Sequence, residues 1–235
     1  MDLNGIELTW LGHAGVRLRL DDGTTVLVDP WLTGNPACPE SEQSQERIDA
    51  IYLTHGHFDH FGDTLSLARE HGCQVFAIHE IAVYLEGQGI EAAVGSNKGG
   101  MVEGPGGIRG FLTDAVHSSG ISGDTGIVSG GEAGGWIFDV PNGPTIYHAG
   151  DTTIFGDMTL IKDIFSPDIA LLPIGGHYTM GAGIAAKAAK LIGAETIIPI
   201  HFGTFPILAG TPDELTDAGG GAFEVQALEP GVPVT

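Results

Sequence analysis

The chain predicts an α+β fold built as a four-layer αββα sandwich, in one domain spanning residues 1–235. Three observations carry this prediction. One β-rich stretch opens near Ile6 and a second lies between Gly95 and Gly143, and each leads into units in which an apolar strand precedes a helix. Elements in that order bury their apolar faces best as two sheets packed face to face with helices outside. The 38 glycines are spread in short turns rather than gathered into a linker, and hydrophobic residues make up 42% of the chain. That is enough for one large core, and no stretch is depleted enough to stay disordered.

The elements follow in order. Alternating apolar residues at Ile6–Trp10 and Val16–Leu20 read as two strands joined through Gly12-His13-Ala14-Gly15, and Thr24–Val28 is a third, ending at Asp29-Pro30. Asn35–Arg47, polar with two prolines, reads as a loop. Ile48–Leu53 is a short buried strand running directly into Thr54-His55-Gly56-His57. Thr64–His71 and His79–Glu86 are helical, with the strand Gln74–Ile78 between them. Between Gly95 and Gly143, glycine-bounded strands are expected at Ile108–Thr113, Gly126–Val128 and Trp136–Val140. Thr145–His148, Ile169–Pro173 and Thr196–Ile200 are strands, separated by helices over Met158–Phe165 and the alanine-rich Ala182–Ile192.

Charge excludes whole classes of partner. Nine Lys+Arg against 30 Asp+Glu leave a formal charge of −21, with no basic cluster anywhere. Nucleic acids and anionic lipids are held largely through Lys and Arg contacts to phosphate, so neither is an expected partner. The apolar runs are strand-length and too short to span a membrane. Met1-Asp2-Leu3-Asn4 has neither the basic nor the apolar region of a signal peptide. Cys38 and Cys73 lack any CxxC spacing and read as free thiols in a reducing cytoplasm.

The chemistry concentrates in Thr54-His55-Gly56-His57-Phe58-Asp59-His60, where four ligand-type side chains fall within six residues. Histidine occupies 10 of 235 positions, so three in such a window beside an aspartate is improbable by chance. Imidazole and carboxylate together suit zinc or a similar borderline metal, and a glycine turn lets alternate side chains converge. Three further polar residues, His117, Asp151 and His201, stand at the ends of expected strands. Strand ends lie at one edge of a sandwich, where a shared site forms.

The string His55 to His60, the segment Ala149-Gly150-Asp151-Thr152 and the final Pro199-Ile200-His201 resemble the metallo-β-lactamase superfamily. Within it, Trp10-Leu11-Gly12-His13, His117-Ser118-Ser119 and Pro199–Pro206 resemble the UPF0173 metal-dependent hydrolases. Those are in turn similar to the ascorbate-6-phosphate lactonase and N-acylphosphatidylethanolamine phospholipase branches. The resemblance runs from about residue 6 to residue 209. It implies one metal on His55, His57 and His117, and a second on Asp59, His60 and His201, with Asp151 bridging. It departs from the family pattern at one place, where Ala182-Gly183-Ile184 stands after Tyr178-Thr179-Met180-Gly181 instead of an acidic pair.

Two divalent ions, Zn2+ first, with Mn2+, Ni2+ or Fe2+ as alternatives, would hold a bridging hydroxide near neutral pH and polarise a carbonyl or phosphoryl oxygen. The expected reaction is hydrolysis of an ester-type bond, in a lactone or phosphodiester of a small molecule. Asp59 is expected both to ligate and to orient the nucleophile, and His177 to protonate a leaving group. Asp29 is a candidate acceptor for the free N–H of a ligand histidine, and His13 a candidate to line the site. Ser118-Ser119 lacks a Gly-x-Ser-x-Gly elbow, which argues against serine catalysis. A non-catalytic metal-binding or metal-sensing protein on the same scaffold is the alternative, and the complete ligand set argues against it. Relatives form dimers or larger rings, so a homo-oligomer is expected by analogy.

Overall fold

The structure, a computed structural model, describes residues 3–123 and 126–235. Strands β1 (Glu7–Trp10), β2 (Val16–Arg19) and β3 (Thr25–Val28) form an antiparallel meander. Strands β4 (Ala50–Tyr52), β5 (Gln74–Ile78) and β6 (Ala93–Ser96) extend it in parallel. Parallel neighbours need a crossover. Helices α1 (Phe58–Phe61) and α2 (Thr64–His71) supply it between β4 and β5, and α3 (His79–Gly87) between β5 and β6.

The second sheet repeats the plan. Strands β7 (Met101–Glu103) and β8 (Arg109–Asp114) come first, and a separate two-stranded ribbon of β9 (Gly120–Gly123) and β10 (Gly126–Ser129) follows. Next, β11 (Gly134–Asp139) and β12 (Thr145–His148) pair antiparallel. Strands β13 (Ile169–Pro173), β14 (Thr196–Ile200) and β15 (Glu224–Val225) then run parallel. Their crossovers are α4 (Met158–Phe165), α5 (Ala182–Ile192) and α6 (Pro212–Gly219). The final strand, β16 (Pro233–Val234), returns to the first sheet beside β1. Among the described residues each of these two sheets has seven strands, ordered β16-β1-β2-β3-β4-β5-β6 and β15-β14-β13-β12-β11-β8-β7.

Strands buried on both faces read as continuous apolar runs, and their period of two divides them between layers. On β13, Ile169 and Leu171 face the core between the sheets, while Ala170 and Leu172 face the helices α4 and α5. Trp136 and Phe138 on β11 point inward and Ile137 outward in the same way. Alanines 185, 186, 188 and 189 let α5 lie close on its sheet. Among the described residues no helix is long and apolar enough to cross a membrane.

Most expected elements stand within two residues of their predicted ends, and Asn35–Arg47 is a loop apart from one short 3-10 turn at Glu40–Glu42. The stretch 95–143 is β-rich as expected, and its antiparallel pairs are divided between the second sheet (β7, β8 and β11) and the separate ribbon of β9 and β10. Helix α6 carried a readable signal: Thr211 accepts from the Glu214 N–H and the Glu214 side chain accepts from the Thr211 N–H, with a proline at the helix start. Strands β15 and β16 are two residues each and exist only by pairing with distant partners.

One inter-sheet contact bears directly on the site. Trp136 is fully buried on β11, and its Nε1–H donates to the Leu53 carbonyl at 2.9 Å, two residues before His55. Trp136→Phe removes that donor and leaves a buried carbonyl unpaired, which is expected to lower unfolding free energy by about 2–3 kcal/mol. Urea unfolding of the variant checks this, and a change below about 0.5 kcal/mol would contradict it.

Candidate metal centre

The ligand-type string begins where β4 ends. His57 is the last extended residue before α1, and Asp59 and His60 occupy that helix's only turn. Position 56 must be glycine, because a Cβ there would lie 2.7 Å from Ile121 Cγ1 on the ribbon. Gly150, just before Asp151, has φ +59°, and its Cβ would meet Thr54 Cβ at 2.7 Å. The two ligand segments therefore approach as closely as glycine allows.

Among the described residues three groups of donor atoms result, the third being Asp29 with His55 and His60. His55, His57 and His117 form the first, with His55 Nε2 3.0 Å and His117 Nε2 3.3 Å from His57 Nδ1. The second contains Asp59, His60 and His201, together with His13. Asp151 stands between these two. Its Oδ2 is 3.1 Å from His201 Nε2 and 3.5 Å from His117 Nε2, and its Oδ1 is 3.3 Å from His60 Nε2. All seven residues singled out from the sequence as ligands are thus brought together.

The hydrogen bonds around the rings dictate which nitrogens are bare. Asp29 is fully buried and accepts from the Thr54 N–H at 2.8 Å, the Thr54 hydroxyl at 2.5 Å and His60 Nδ1 at 2.7 Å. Thr54 has one hydroxyl proton, already donated, so its oxygen accepts from His55 Nδ1–H at 3.0 Å. When the two rings are neutral, each turns an unprotonated Nε2 into the cluster. Asp29 accepts from a ligand-type histidine, as anticipated, and through Thr54 it governs a second. His57 Nε2 lies 3.3 Å from Ser118 Oγ, which leaves its Nδ1 for the cluster. Ser119 is structural: its Oγ accepts from the Gly56 N–H and donates to the Gly130 carbonyl.

These donors fit a metal. His60 Nε2, His201 Nε2 and Asp151 Oδ1 are buried and make no hydrogen bond of acceptable geometry, although they face one another. Bare imidazole nitrogens and carboxylate oxygens converging in a buried space are the donor set that zinc and its neighbours take.

His13 belongs to the cluster as well. It is fully buried, with Nε2 2.9 Å from Asp59 Oδ2 and Nδ1 2.9 Å from Thr204 Oγ1. The Asp59 carboxylate only accepts, so the proton sits on Nε2 and Nδ1 accepts from the threonine. Both His13 nitrogens are engaged by protein, unlike those of His201. The glycine-flanked turn was its sequence signal; the pairing with Asp59 had none.

His177 is not brought in. It is exposed, with φ +49°, and packs edge-on against Tyr178 at 4.5 Å. Tyr178, which sequence reasoning passed over, lines the cavity above the cluster instead, as do Phe58 and Ile127. The departure at Gly183-Ile184 lies on α5 in a separate surface hollow bordered by Lys187 and Glu214, away from the cluster.

Electrostatics separate the groups. Burial holds His55 well below the usual imidazole range, and it lowers His57 and His117 too. Burial would also lower His60, but the Asp151 and Asp29 carboxylates outweigh it and raise the ring well above its ordinary value. His201 is likewise pushed up, to about 9, by Asp151 acting against burial. Burial opposes ionisation of Asp59 and Asp151, yet both stay depressed: His13 bonds Asp59 and His201 faces it, and the His60 and His201 charges face Asp151. Burial takes His13 down to about 4, partly offset by Asp59.

A raised His201 stabilises the metal-free fold fully below the unfolded value of about 6.5, and that contribution is lost as pH climbs through about 9. Metal-free protein should therefore lose stability between pH 6.5 and 9, with His201 accounting for about 3 kcal/mol of the loss. Calorimetric unfolding in chelator checks this, and a flat or rising profile would contradict it.

Known proteins share this fold. A family profile described as beta-lactamase superfamily domain matches residues 24–202. A UPF0173 metal-dependent hydrolase from Koribacter versatilis is 47% identical over 92% of each chain. Another from Solibacter usitatus is 45% identical over 97% of this chain and 99% of its own. Among solved structures, the metallo hydrolase Igni18 from Ignicoccus hospitalis superposes with a TM-score of 0.86 at 36% identity, covering 97% of both chains. The fold is the metallo-β-lactamase fold, and the chain belongs to the UPF0173 metal-dependent hydrolase family.

Proposed function

We propose that this protein hydrolyses an ester-type bond, in a lactone or phosphodiester of a small molecule, at a dinuclear metal centre. In this reading His55, His57 and His117 hold one ion and Asp59, His60 and His201 the other, with Asp151 shared. The observation that carries it is the position of Asp151 within 3.5 Å of both groups, beside buried nitrogens that lack hydrogen bonds. Zn2+ is the first candidate, with Mn2+, Ni2+ and Fe2+ compatible with the same donors. Bound ions supply Lewis acidity and an activated water at neutral pH.

The protein's own residues do the rest. Asp59 is anchored through Oδ2 to His13, whose ring is fixed in turn by Thr204, so the carboxylate is held rigidly at the cavity floor. Ser118 lines the cavity wall beside His57 and can hydrogen-bond a polar substrate atom. Phe58 and Ile127 add apolar surface to the same lining. The cavity, about 390 Å3, is of small-molecule size. His177 lies outside its lining, so leaving-group protonation in this reading does not depend on that ring.

The acidic balance of −21 supports a small-molecule substrate rather than nucleic acid. Cys38 and Cys73 are buried and free, and burial pushes both thiols up to about 11, which keeps them inert and suits a reducing cytoplasm. Assembly into a homo-oligomer is part of the same reading, by analogy with relatives.

Elemental analysis is expected to find two divalent ions per chain, falling to about one or fewer in Asp151→Asn. Asp59→Ala should reduce turnover of nitrophenyl ester, lactone or phosphodiester substrates by at least about 100-fold, with a near-native circular dichroism spectrum. Two tightly bound ions without turnover of any such substrate would favour a metal-binding or sensing role.

A further inference from the structure

The cavity has two unlike halves. Its floor is the cluster, represented by His57, Asp59, His117, Asp151 and His201. Its mouth carries apolar side chains from three separate segments, Phe58 on α1, Ile127 on β10 and Tyr178 in the loop before α5, beside the exposed hydroxyls of Ser118 and Ser122. The three apolar side chains are 56%, 79% and 62% exposed, which leaves an unusual amount of apolar surface in water around one opening. Apolar surface gathered at a concave site marks binding rather than accident.

Phe58 is also held in place. Its ring packs edge-on against Trp31 at 5.6 Å, and Trp31 stacks on Phe205 at 5.8 Å. Both Trp31 and Phe205 lie against His13, the partner of Asp59. The apolar wall is thereby built onto the same support as the reactive floor. None of the nine Lys and Arg residues lines the cavity. Away from the floor, an anionic group would find no cation and would face the negative field of the whole chain.

We propose that the substrate presents an uncharged apolar group, a short alkyl chain or an aryl ring, to a seat formed by Phe58, Ile127 and Tyr178, while its scissile bond lies over the cluster. The proposal rests on the hydrolytic reading above and narrows its substrate class. Hydrolysis of such an ester adds the water oxygen to the acyl carbon and breaks the bond to the leaving oxygen. One water proton goes to that oxygen and the other departs with the acid, with no redox change.

Alkyl hydroxamates test the seat without being ester substrates. Binding of acetohydroxamate through octanohydroxamate is measured by calorimetry on the protein as isolated and after zinc loading. Affinity is expected to rise about threefold per methylene until the seat is filled. Suberic acid monohydroxamate, with a carboxylate at its far end, should bind at least about tenfold more weakly than octanohydroxamate. Ile127→Ser lies too far out of the core to unfold the protein, and alone or with Tyr178→Ser it should flatten the chain-length slope. A flat slope in the wild type, or equal or tighter binding of the suberic compound, overturns the proposal even if esters are turned over. A steep slope without turnover of any ester supports the seat and overturns hydrolysis.

Discussion

The metal centre depends on one buried carboxylate. Asp29, at the end of β3, accepts three hydrogen bonds, two from Thr54 and one from His60. Through them it joins the end of one strand to the ligand segment that follows the next and decides which nitrogen of two rings is bare. Burying a polar side chain carries a desolvation cost, which the bonds donated by Thr54 and His60 offset here. The Asp29 backbone lies in the left-handed region at φ +47°, as do His13 at +55° and His201 at +54°. Such conformations are costly for residues with a Cβ and survive where the surroundings over-determine them. Three of them in one cluster mark the place where the fold gives up local ease for geometry.

The two sheets meet at this same edge through hydrogen bonds as well as packing. His201 N–H donates to the His13 carbonyl at 2.9 Å, and Gly134 N–H donates to the Thr54 carbonyl at 3.0 Å. His148 Nε2 reaches the Ala14 carbonyl at 2.9 Å, and Trp136 reaches Leu53. Each contact links one sheet to a loop of the other close to a ligand-type residue. The apolar core between the sheets sets their separation, and these bonds set their register at the site. Precision at the cluster is therefore a property of the whole sandwich rather than of any one loop.

Charge ties the site to the molecular surface. A net charge of −21 raises the local concentration of divalent cations and lowers that of anions. At the cluster, Asp59 and Asp151 remain ionised because protonated or hydrogen-bonding histidines surround them. Cations that displace those protons meet a set of donors already in place. Above the floor the described lining carries apolar side chains and uncharged hydroxyls, so the field that favours metal loading also disfavours anionic groups at the mouth.

The sequence alone determined the parts whose physics is local. His55 to His60 is one short segment after an apolar strand, so its chemistry could be read from residue types and spacing. The apolar runs of β13 and β14 and the alanine-rich α5 declared themselves by composition and period, and so did the ends of the strands that carry Asp151 and His201. The Thr211–Glu214 capping signal of α6 was equally local and was simply passed over. What only the tertiary structure decided depends on partners far apart in the chain. His13 lies 46 residues from the Asp59 carboxylate that engages it, and β16 becomes a strand only against β1 at the opposite end of the chain. His177 and Tyr178 are adjacent in sequence, yet the left-handed backbone at His177 leaves it outside the cavity that Tyr178 lines. No local preference distinguishes those two side chains; the packing of the two sheets and their loops does.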